Sequence, residues 1–236
     1  MNTATYFAYP DAAAQAQGLA QAVAALLRHH INSQDYAVLA VSGGRSPIAV
    51  FEALSQIELP WHKVTITLVD ERWVPAHHAD SNGALVRRHL LQHHAALAQW
   101  QPLVAENADD LFFRQPENVA ASVAAALANY RQPDVVLLGM GDDGHTASLF
   151  PSAPQLPAAL AADAPALLHT TPVSAPHERI SLSLSAIATA ANVLLAIGGS
   201  SKRRVLQQAL AAHSAALPVG LVLNHPQVSA HIHYHE

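Results

Sequence analysis

The chain has 236 residues, of which 51% are hydrophobic and only 12% are charged, so it can bury one substantial core. We expect a single domain over residues 1–236. The 12 Lys and Arg residues against 17 acids leave a net charge of -5, which argues against nucleic acid or an anionic membrane surface as a partner. The absence of cysteine excludes disulfides and thiolate metal ligands, and it favours the cytoplasm.

Neither a signal peptide nor a membrane span is expected. Asp11 interrupts the Ala-rich N-terminal stretch, and no basic region precedes it. Residues 180–201 carry no charge and are long enough to cross a bilayer, but they include several Ser and Gly residues. We interpret them as a strand, a short helix, a second strand and a glycine turn.

Strands and helices alternate along the chain, which predicts an α/β fold. We expect a doubly wound, largely parallel, Rossmann-like sheet with helices on both faces and a small additional lobe. The Pro-rich stretch 151–176 is expected to form a loop or lid. In chain order the pattern predicts a helix near 11–30, a strand near 36–41, a helix from 47, a strand near 63–69, helices near 81–95 and 116–129, strands near 134–139, 165–170, 179–184 and 192–198, a helix near 201–212, and apolar segments near 219–223 and 231–235.

The strongest candidate for a site is residues 134–151, where a short apolar run ends in a glycine-rich turn that carries Asp143 and His145. Open α/β sheets bind ligands at the carboxyl ends of their strands. A turn whose acids only cap the next helix is the simpler alternative, but the adjacent histidine favours chemistry.

The same turn also matches a dinucleotide-binding fingerprint, Gly139-x-Gly141-x-x-Gly144, with Asp163 near the distance of a ribose-binding acid. We rank this interpretation low. The two acids inside the turn would repel a pyrophosphate, and Asp163 does not follow a second strand.

A second glycine turn, residues 41–47 (VSGGRSP), joins a strand to a helix. Gly43 and Gly44 allow close approach of a ligand, Ser46 can cap the helix, and Pro47 suits its first position. The backbone N–H groups would then bind a phosphate, although a plain strand-to-helix turn explains the pattern nearly as well.

Three consecutive charged residues, Asp70, Glu71 and Arg72, follow the next strand. They form either a structural cluster of ion pairs or a site that orients sugar hydroxyls and binds an oxyanion. Ser81 and Asn82 are expected to cap the following helix, with Asn82 able to reach a ligand.

Two further cations lie near predicted strand ends. Arg179 opens a strand, and Lys202 follows the turn Gly198-Gly199-Ser200-Ser201. An isolated surface cation is usually only solvated, but the second glycine turn favours a role in binding.

Five segments together resemble the 6-phosphogluconolactonase family, and the resemblance spans nearly the whole chain. The segments are SGGRSP, DERWVP followed by SN, GMGDDGHTASLFP, ERISLSLS and IGGSSKRRVL. GMGDDGHTASLFP is the most specific, whereas the glycine turns are shared with glucosamine-6-phosphate deaminases. The resemblance implies a doubly wound α/β fold, hydrolysis of 6-phospho-D-glucono-1,5-lactone in the pentose phosphate pathway, and no organic cofactor.

The resemblance also implies roles for particular residues. His145 would be the catalytic acid and base, with Asp143 beside it and Asp70 and Arg72 in the same crevice. The phosphate would contact a second group of residues, in which the role of Arg45 is the least defined. This group comprises Ser42, Gly43, Gly44, Arg45, Arg179 and Lys202, with Asn82 placed to reach substrate hydroxyls.

The chemistry of lactone opening suits a histidine. His145 would take a proton from the water that attacks C1 and return a proton to the departing ring oxygen, with Asp143 orienting the imidazole. Arg72 would stabilise the developing oxyanion or hold the phosphate. A serine esterase is disfavoured, because the chain has no G-x-S-x-G motif.

Two other functions remain open. An amino-sugar phosphate deaminase or isomerase would use Asp70 as base and His145 as ring-opening acid, and a sensor would bind a sugar phosphate without turnover. The expected partner is a small molecule, and the expected state is a monomer or small homo-oligomer.

No metal is expected, although the chain has 16 histidines. His89 and His93 at helical spacing, and His231, His233 and His235 on one strand face, are interpreted as surface histidines, because they lack the H-E-x-x-H pattern.

Overall fold

The computed structural model describes residues 4–236 and contains the predicted alternation of strands and helices. The strands are β1 (Thr5–Tyr9), β2 (Ala37–Val41), β3 (Val64–Leu68), β4 (Asp70–Arg72), β5 (Gln99–Trp100), β6 (Val135–Leu138), β7 (Leu167–Thr170), β8 (Arg179–Leu182), β9 (Asn192–Gly198) and β10 (Ala230–His235). The helices are α1 (Ala12–Gln34), α2 (Ile48–Ser55), α3 (Asn82–His89), α4 (Asn118–Ala128), α5 (Leu156–Leu160), α6 (Leu184–Ala188), α7 (Ser200–Ala212) and α8 (Pro218–Leu223).

The main sheet has seven strands in the order β1-β10-β9-β6-β2-β3-β5, and its pairs are parallel. From β2 the chain steps through β3 to β5, and it then returns to β6 and steps the other way through β9 to β10. Because parallel crossovers are right-handed, these opposite directions place helices on opposite faces: α1 packs against α2, and α7 against α8. The predicted doubly wound fold is confirmed.

The core lies between the sheet and these helices. Strands β2, β3 and β6 are buried along their whole lengths, as expected for parallel strands covered on both faces. Helix α1 contributes Leu19, Val23 and Leu27, which are fully buried and recur every four residues on one face. Asp11 caps its first turn by accepting a hydrogen bond from Ala14 N at 2.8 Å.

The small additional lobe is an antiparallel sheet of three strands in the order β4-β8-β7. It begins immediately after β3. Val69, between β3 and β4, donates its N–H to Val41 O at 3.0 Å and accepts from Leu182 N at 2.8 Å. The lobe is therefore fixed to the main sheet at the carboxyl ends of β2 and β3.

Two predicted segments differ from the structure, and two edge strands were not predicted. The helix predicted over 81–95 ends at His89, and His93, which has a left-handed backbone (φ 48°), begins a separate 3-10 helix. The Pro-rich stretch 151–176 is not only a loop, since it contains α5 and β7. The short strands β1 and β5 at the two sheet edges had no prediction.

The uncharged stretch 180–201 contains most of β8, then α6, β9 and a glycine turn, as interpreted from its polar residues. Within residues 4–236, the helices all fall short of the length or apolar character required to cross a bilayer.

Candidate active site

A cavity of about 210 Å³ lies at the carboxyl ends of β2 and β6. These neighbouring strands mark the point where the strand order reverses, which is where doubly wound sheets bind ligands. The cavity brings together residues from five separate segments of the sequence. The predicted residues that line it are Ser42, Gly43, Gly44, Asp70, Arg72, Asn82, His145, Arg179 and Lys202.

Two predicted residues do not line the cavity. Asp143 lies behind His145 and contacts it directly. Arg45 is exposed on the turn after β2. The structure therefore provides no contact that supports phosphate binding by Arg45.

His145 and Asp143 form a hydrogen-bonded pair beside the cavity. His145 Nδ1 lies 2.5 Å from Asp143 Oδ1, which also accepts from the backbone N–H of His145 at 3.2 Å. Partial burial opposes ionisation of Asp143, but the charge and hydrogen bonds of His145 more than offset it, so the pKa of Asp143 is below its usual value. A carboxylate at Nδ1 directs the ring so that Nε2 is available for proton transfer.

The ring of His145 has two close neighbours. Phe150 stacks on it with ring centroids 4.1 Å apart and an interplanar angle of 27°. Gly141 is also close, since a Cβ there would come within 2.2 Å of the imidazole. The glycine thus provides the space that the ring occupies. Phe150 had no predicted role, although it lies in the most specific motif.

The turn after β6 does not have the geometry of a dinucleotide site. Its three glycines lead into a tight turn and an isolated bridge between Thr146 and Leu149, and the next helix, α5, starts only at Leu156. The fingerprint requires a helix N-terminus immediately after the glycines. The low rank of that interpretation is supported.

Alternation along β4 separates the three charged residues. Asp70 and Arg72 point to the cavity face of the small sheet, and Glu71 between them points to the other face. Asp70 Oδ2 lies 3.6 Å from Arg179 Nη1 and accepts a hydrogen bond from Ser148 Oγ at 2.6 Å. One of the two sequence interpretations, a structural ion pair, therefore applies to Asp70, with Arg179 as its partner.

Glu71 organises the start of α3. Its carboxylate accepts hydrogen bonds from the backbone N–H groups of Arg72, Asn82 and Gly83 at 2.7 to 2.8 Å and from Ser81 Oγ at 3.1 Å. Burial raises the pKa of Glu71 to about 7, although these backbone donors favour the anion. Ser81 accepts from Ala84 N and caps α3 as predicted. Glu71 thereby holds the segment that presents Arg72 and Asn82.

Cationic groups converge on one part of the cavity. Arg72 and Arg179 are direct cross-strand partners on β4 and β8, an arrangement of like charges that is unfavourable without an anion. Arg179 is 6% exposed, and its guanidinium lies 5.6 Å from the centre of the Phe150 ring. Burial lowers the pKa of Arg179, and Asp70 partly offsets this. From α7, Lys202 donates to Met140 O at 2.7 Å.

The turn after β2 also lines the cavity. Ser42 Oγ accepts from Gly139 N at 3.2 Å and so links the turns after β2 and β6. A Cβ on Gly43 would lie 1.8 Å from Asn82 Oδ1, which explains the glycine. Asn82 donates to Asp70 O at 2.8 Å, whereas its buried Oδ1 has no hydrogen-bond partner among the described residues.

Helix α2 begins differently from the prediction. Its N-cap is Pro47, without a side-chain hydrogen bond, and the first helical residue is Ile48. Ser46 therefore does not cap the helix.

The histidine pairs considered for metal binding have other contacts. His89, the last residue of α3, lies 2.9 Å from Glu52 through Nδ1, and the break at His93 removes the expected helical spacing. On β10 the expectation of surface histidines is wrong for His233, which is buried. Burial lowers the pKa of His233 to about 4, and its Nδ1 lies 2.8 Å from Tyr9 Oη.

The family model described as glucosamine-6-phosphate isomerases/6-phosphogluconolactonase matches residues 10–231. The chain is 52% identical to the 6-phosphogluconolactonase of Neisseria meningitidis serogroup A over 229 residues, which cover 97% of each chain. A Neisseria gonorrhoeae protein of known crystal structure is similar with a TM-score of 0.95 and 51% identity over 99% of this chain and 100% of that chain. The 6-phosphogluconolactonase of Shewanella baltica has a TM-score of 0.90 and 37% identity over 99% and 98% of the two chains.

Proposed function

The chain belongs to the glucosamine-6-phosphate isomerase/6-phosphogluconolactonase family, and we propose that it hydrolyses 6-phospho-D-glucono-1,5-lactone to 6-phospho-D-gluconate in the oxidative pentose phosphate pathway. The whole chain would act as one lactonase domain. We propose the cytoplasm as its location, which rests on the sequence alone.

The observation that carries the proposal is the position of the His145–Asp143 pair. The imidazole is fixed by Asp143 at 2.5 Å, stacks on Phe150 and lines a cavity that also contains Arg72, Arg179 and Lys202. A proton-transfer group and several cations in one cavity suit a substrate with both a hydrolysable carbonyl and a phosphate.

In the proposed mechanism His145 Nε2 takes a proton from a water molecule that attacks C1 of the lactone. The tetrahedral intermediate then breaks the bond between C1 and the ring oxygen, and the imidazolium returns the proton to that oxygen. Asp143 stabilises the imidazolium and keeps the ring in one orientation, as an acidic partner of a catalytic histidine does.

The neighbouring cations of the cavity would serve two groups of the substrate, its phosphate and its carbonyl. Arg179 has an acidic partner, Asp70, but its Nε, like that of Arg72, is buried without a hydrogen bond among the described residues. Such a group is stabilised by a further anion. We propose that Arg179 and Lys202 bind the phosphate and that Arg72 faces the developing oxyanion, with the N–H groups of the Ser42–Gly44 turn as additional donors.

The alternative deaminase chemistry would need Asp70 as a free base. Its carboxylate is instead only 8% exposed at the side chain and is engaged by both Arg179 and Ser148. These contacts favour a structural role for Asp70 and support the lactonase over the deaminase.

The test follows the disappearance of 6-phosphogluconolactone generated in situ, with subtraction of its spontaneous hydrolysis. We expect His145→Ala to lower kcat by about 10²- to 10⁴-fold, the usual contribution of a general acid or base, and Asp143→Asn to lower kcat with little change in KM. Asp142→Asn, on the same turn but exposed, is the matched control.

Two outcomes would contradict the proposal. Wild-type activity in His145→Ala would eliminate the mechanism. No acceleration by folded wild-type protein would eliminate the lactonase, and release of ammonia from glucosamine 6-phosphate would then identify a deaminase. For Arg179→Ala and Lys202→Ala we expect mainly a higher KM, and an unchanged KM in both would refute the phosphate assignment.

A further inference from the structure

Three potential metal ligands meet on the surface beside the cavity. His78, Asp80 and His177 each offer one ligand atom, and these atoms lie within 4.8 Å of one another. His78 and Asp80 belong to the turn between β4 and α3, whereas His177 comes from the segment between β7 and β8. His177 and Asp80 are 97 positions apart in the sequence, so their proximity is a product of the fold.

The separations suit a small cation with nitrogen and oxygen ligands. Asp80 Oδ2 lies 2.9 Å from His177 Nε2 and 3.9 Å from His78 Nδ1. Ligand atoms about 2.0 to 2.1 Å from a tetrahedral zinc ion are about 3.3 Å apart. Both distances therefore reach that value by movements of about 0.6 Å or less, which side-chain rotation supplies.

The group is accessible from solvent, and a bound ion would replace the hydrogen bond that His78 Nδ1 accepts from the backbone N–H of Asp80 at 3.1 Å. The side chains of His78, Asp80 and His177 are 40%, 53% and 25% exposed, so an ion can enter from solvent. His177 also has a left-handed backbone, with φ at 69°, a conformation that persists where contacts hold it.

We propose that His78, Asp80 and His177 form a binding site for one divalent transition-metal ion of the zinc class. Imidazole and carboxylate ligands suit Zn²⁺, and water would complete the coordination. The ion would fasten the segment before β8 to the turn after β4. This departs from the expectation of no metal, which considered only histidines close together in the sequence.

The proposed site has a direct connection to the cavity. Arg72 Nη1 donates to Asp80 O at 2.6 Å, and Arg72 lines the cavity. In the segment that carries His177, Ser174 Oγ lies 3.4 Å from Asp143 Oδ2. A bound ion would therefore restrict the positions of Arg72 and of the segment that reaches Asp143.

The test is calorimetric titration of Zn²⁺ into the metal-free full chain without substrate, with Co²⁺ absorption spectra to report the ligands. We expect one site that His78→Ala and His177→Ala each weaken at least tenfold, since losing even an outer partner of a metal ligand costs about 10- to 100-fold in affinity. His77→Ala is the matched control, because His77 is 78% exposed and lies 3.6 Å from Asp110 instead.

Thermal unfolding separates loss of the site from loss of the fold. We expect Zn²⁺ to raise the Tm of wild type and His77→Ala but not of His177→Ala, and the metal-free proteins to melt alike. Absence of Zn²⁺ binding by wild type, or equal binding by wild type and both alanine variants, would overturn the proposal. Because no substrate is used, failure of the lactonase assignment would leave this result interpretable.

Discussion

The buried ion pair between Asp70 and Arg179 allows a quantitative prediction. Their side chains are 8% and 7% exposed, and Asp70 Oδ2 lies 3.6 Å from Arg179 Nη1. At an effective dielectric constant of about 20, the attraction at that distance is about 4 to 5 kcal/mol. Asp70→Asn preserves the shape and an acceptor for Ser148, but it leaves the guanidinium buried without its countercharge.

We expect Asp70→Asn to lower the free energy of unfolding by about 3 to 5 kcal/mol, the usual cost of removing one partner of a buried pair. For a domain of this size that corresponds to a fall in Tm of about 6 to 20 °C, at about 2 to 4 °C per kcal/mol. Urea denaturation in phosphate-free buffer measures the difference, since phosphate would itself bind the freed Arg179. Asp142→Asn, an exposed carboxylate, should stay within about 0.5 kcal/mol of wild type.

A double-mutant cycle separates the pair from other effects of the substitution. In Asp70→Asn/Arg179→Met both charges are absent, so the loss should be well below the sum of the two single losses. Additive losses, or an Asp70→Asn protein that melts within about 2 °C of wild type, would refute the conclusion that Asp70 acts structurally through Arg179. A catalytic role for Asp70 would then regain support.

Three further substitutions test the site and the fold. Gly141→Ala places a Cβ 2.2 Å from the His145 ring and should lower kcat about 10²-fold or more in a folded protein. Unchanged lactone turnover would show that the ring is free to move. Glu71→Gln replaces one acceptor oxygen with an amide NH2 group, which would face donors such as Gly83 N. Urea denaturation at pH 8 should show a free energy of unfolding lower by about 1 to 3 kcal/mol. An unchanged free energy would mean that the carboxylate does not hold α3. His233→Phe should remove one contribution to the pH dependence of the free energy of unfolding. Burial lowers the pKa of His233 from 6.5 to about 4, so the unfolded chain takes up the proton first as the pH falls. Wild type therefore loses stability between about pH 6.5 and about pH 4. The difference in unfolding free energy between this variant and wild type should therefore change across that window and be constant above pH 7, whereas a constant difference throughout would contradict the assignment.

Part of the site could be predicted because its members are close in the sequence. Asp143 and His145 are two residues apart on one glycine turn, and the apolar run before it marks a buried strand. Such a pattern determines both the turn and the end of the sheet where it lies. The remaining lining residues were predicted largely through the family resemblance, which linked segments that local patterns alone leave separate.

The sequence by itself determined the alternation of strands and helices, and hence the doubly wound sheet, because burial imposes a period on each element. Only the tertiary structure decided that Asp70 pairs with Arg179, that Phe150 packs on His145 and that His177 meets Asp80. These contacts depend on which strands are neighbours and in which register. Periodicity shows which face of an element is buried, but it does not show which distant element covers that face.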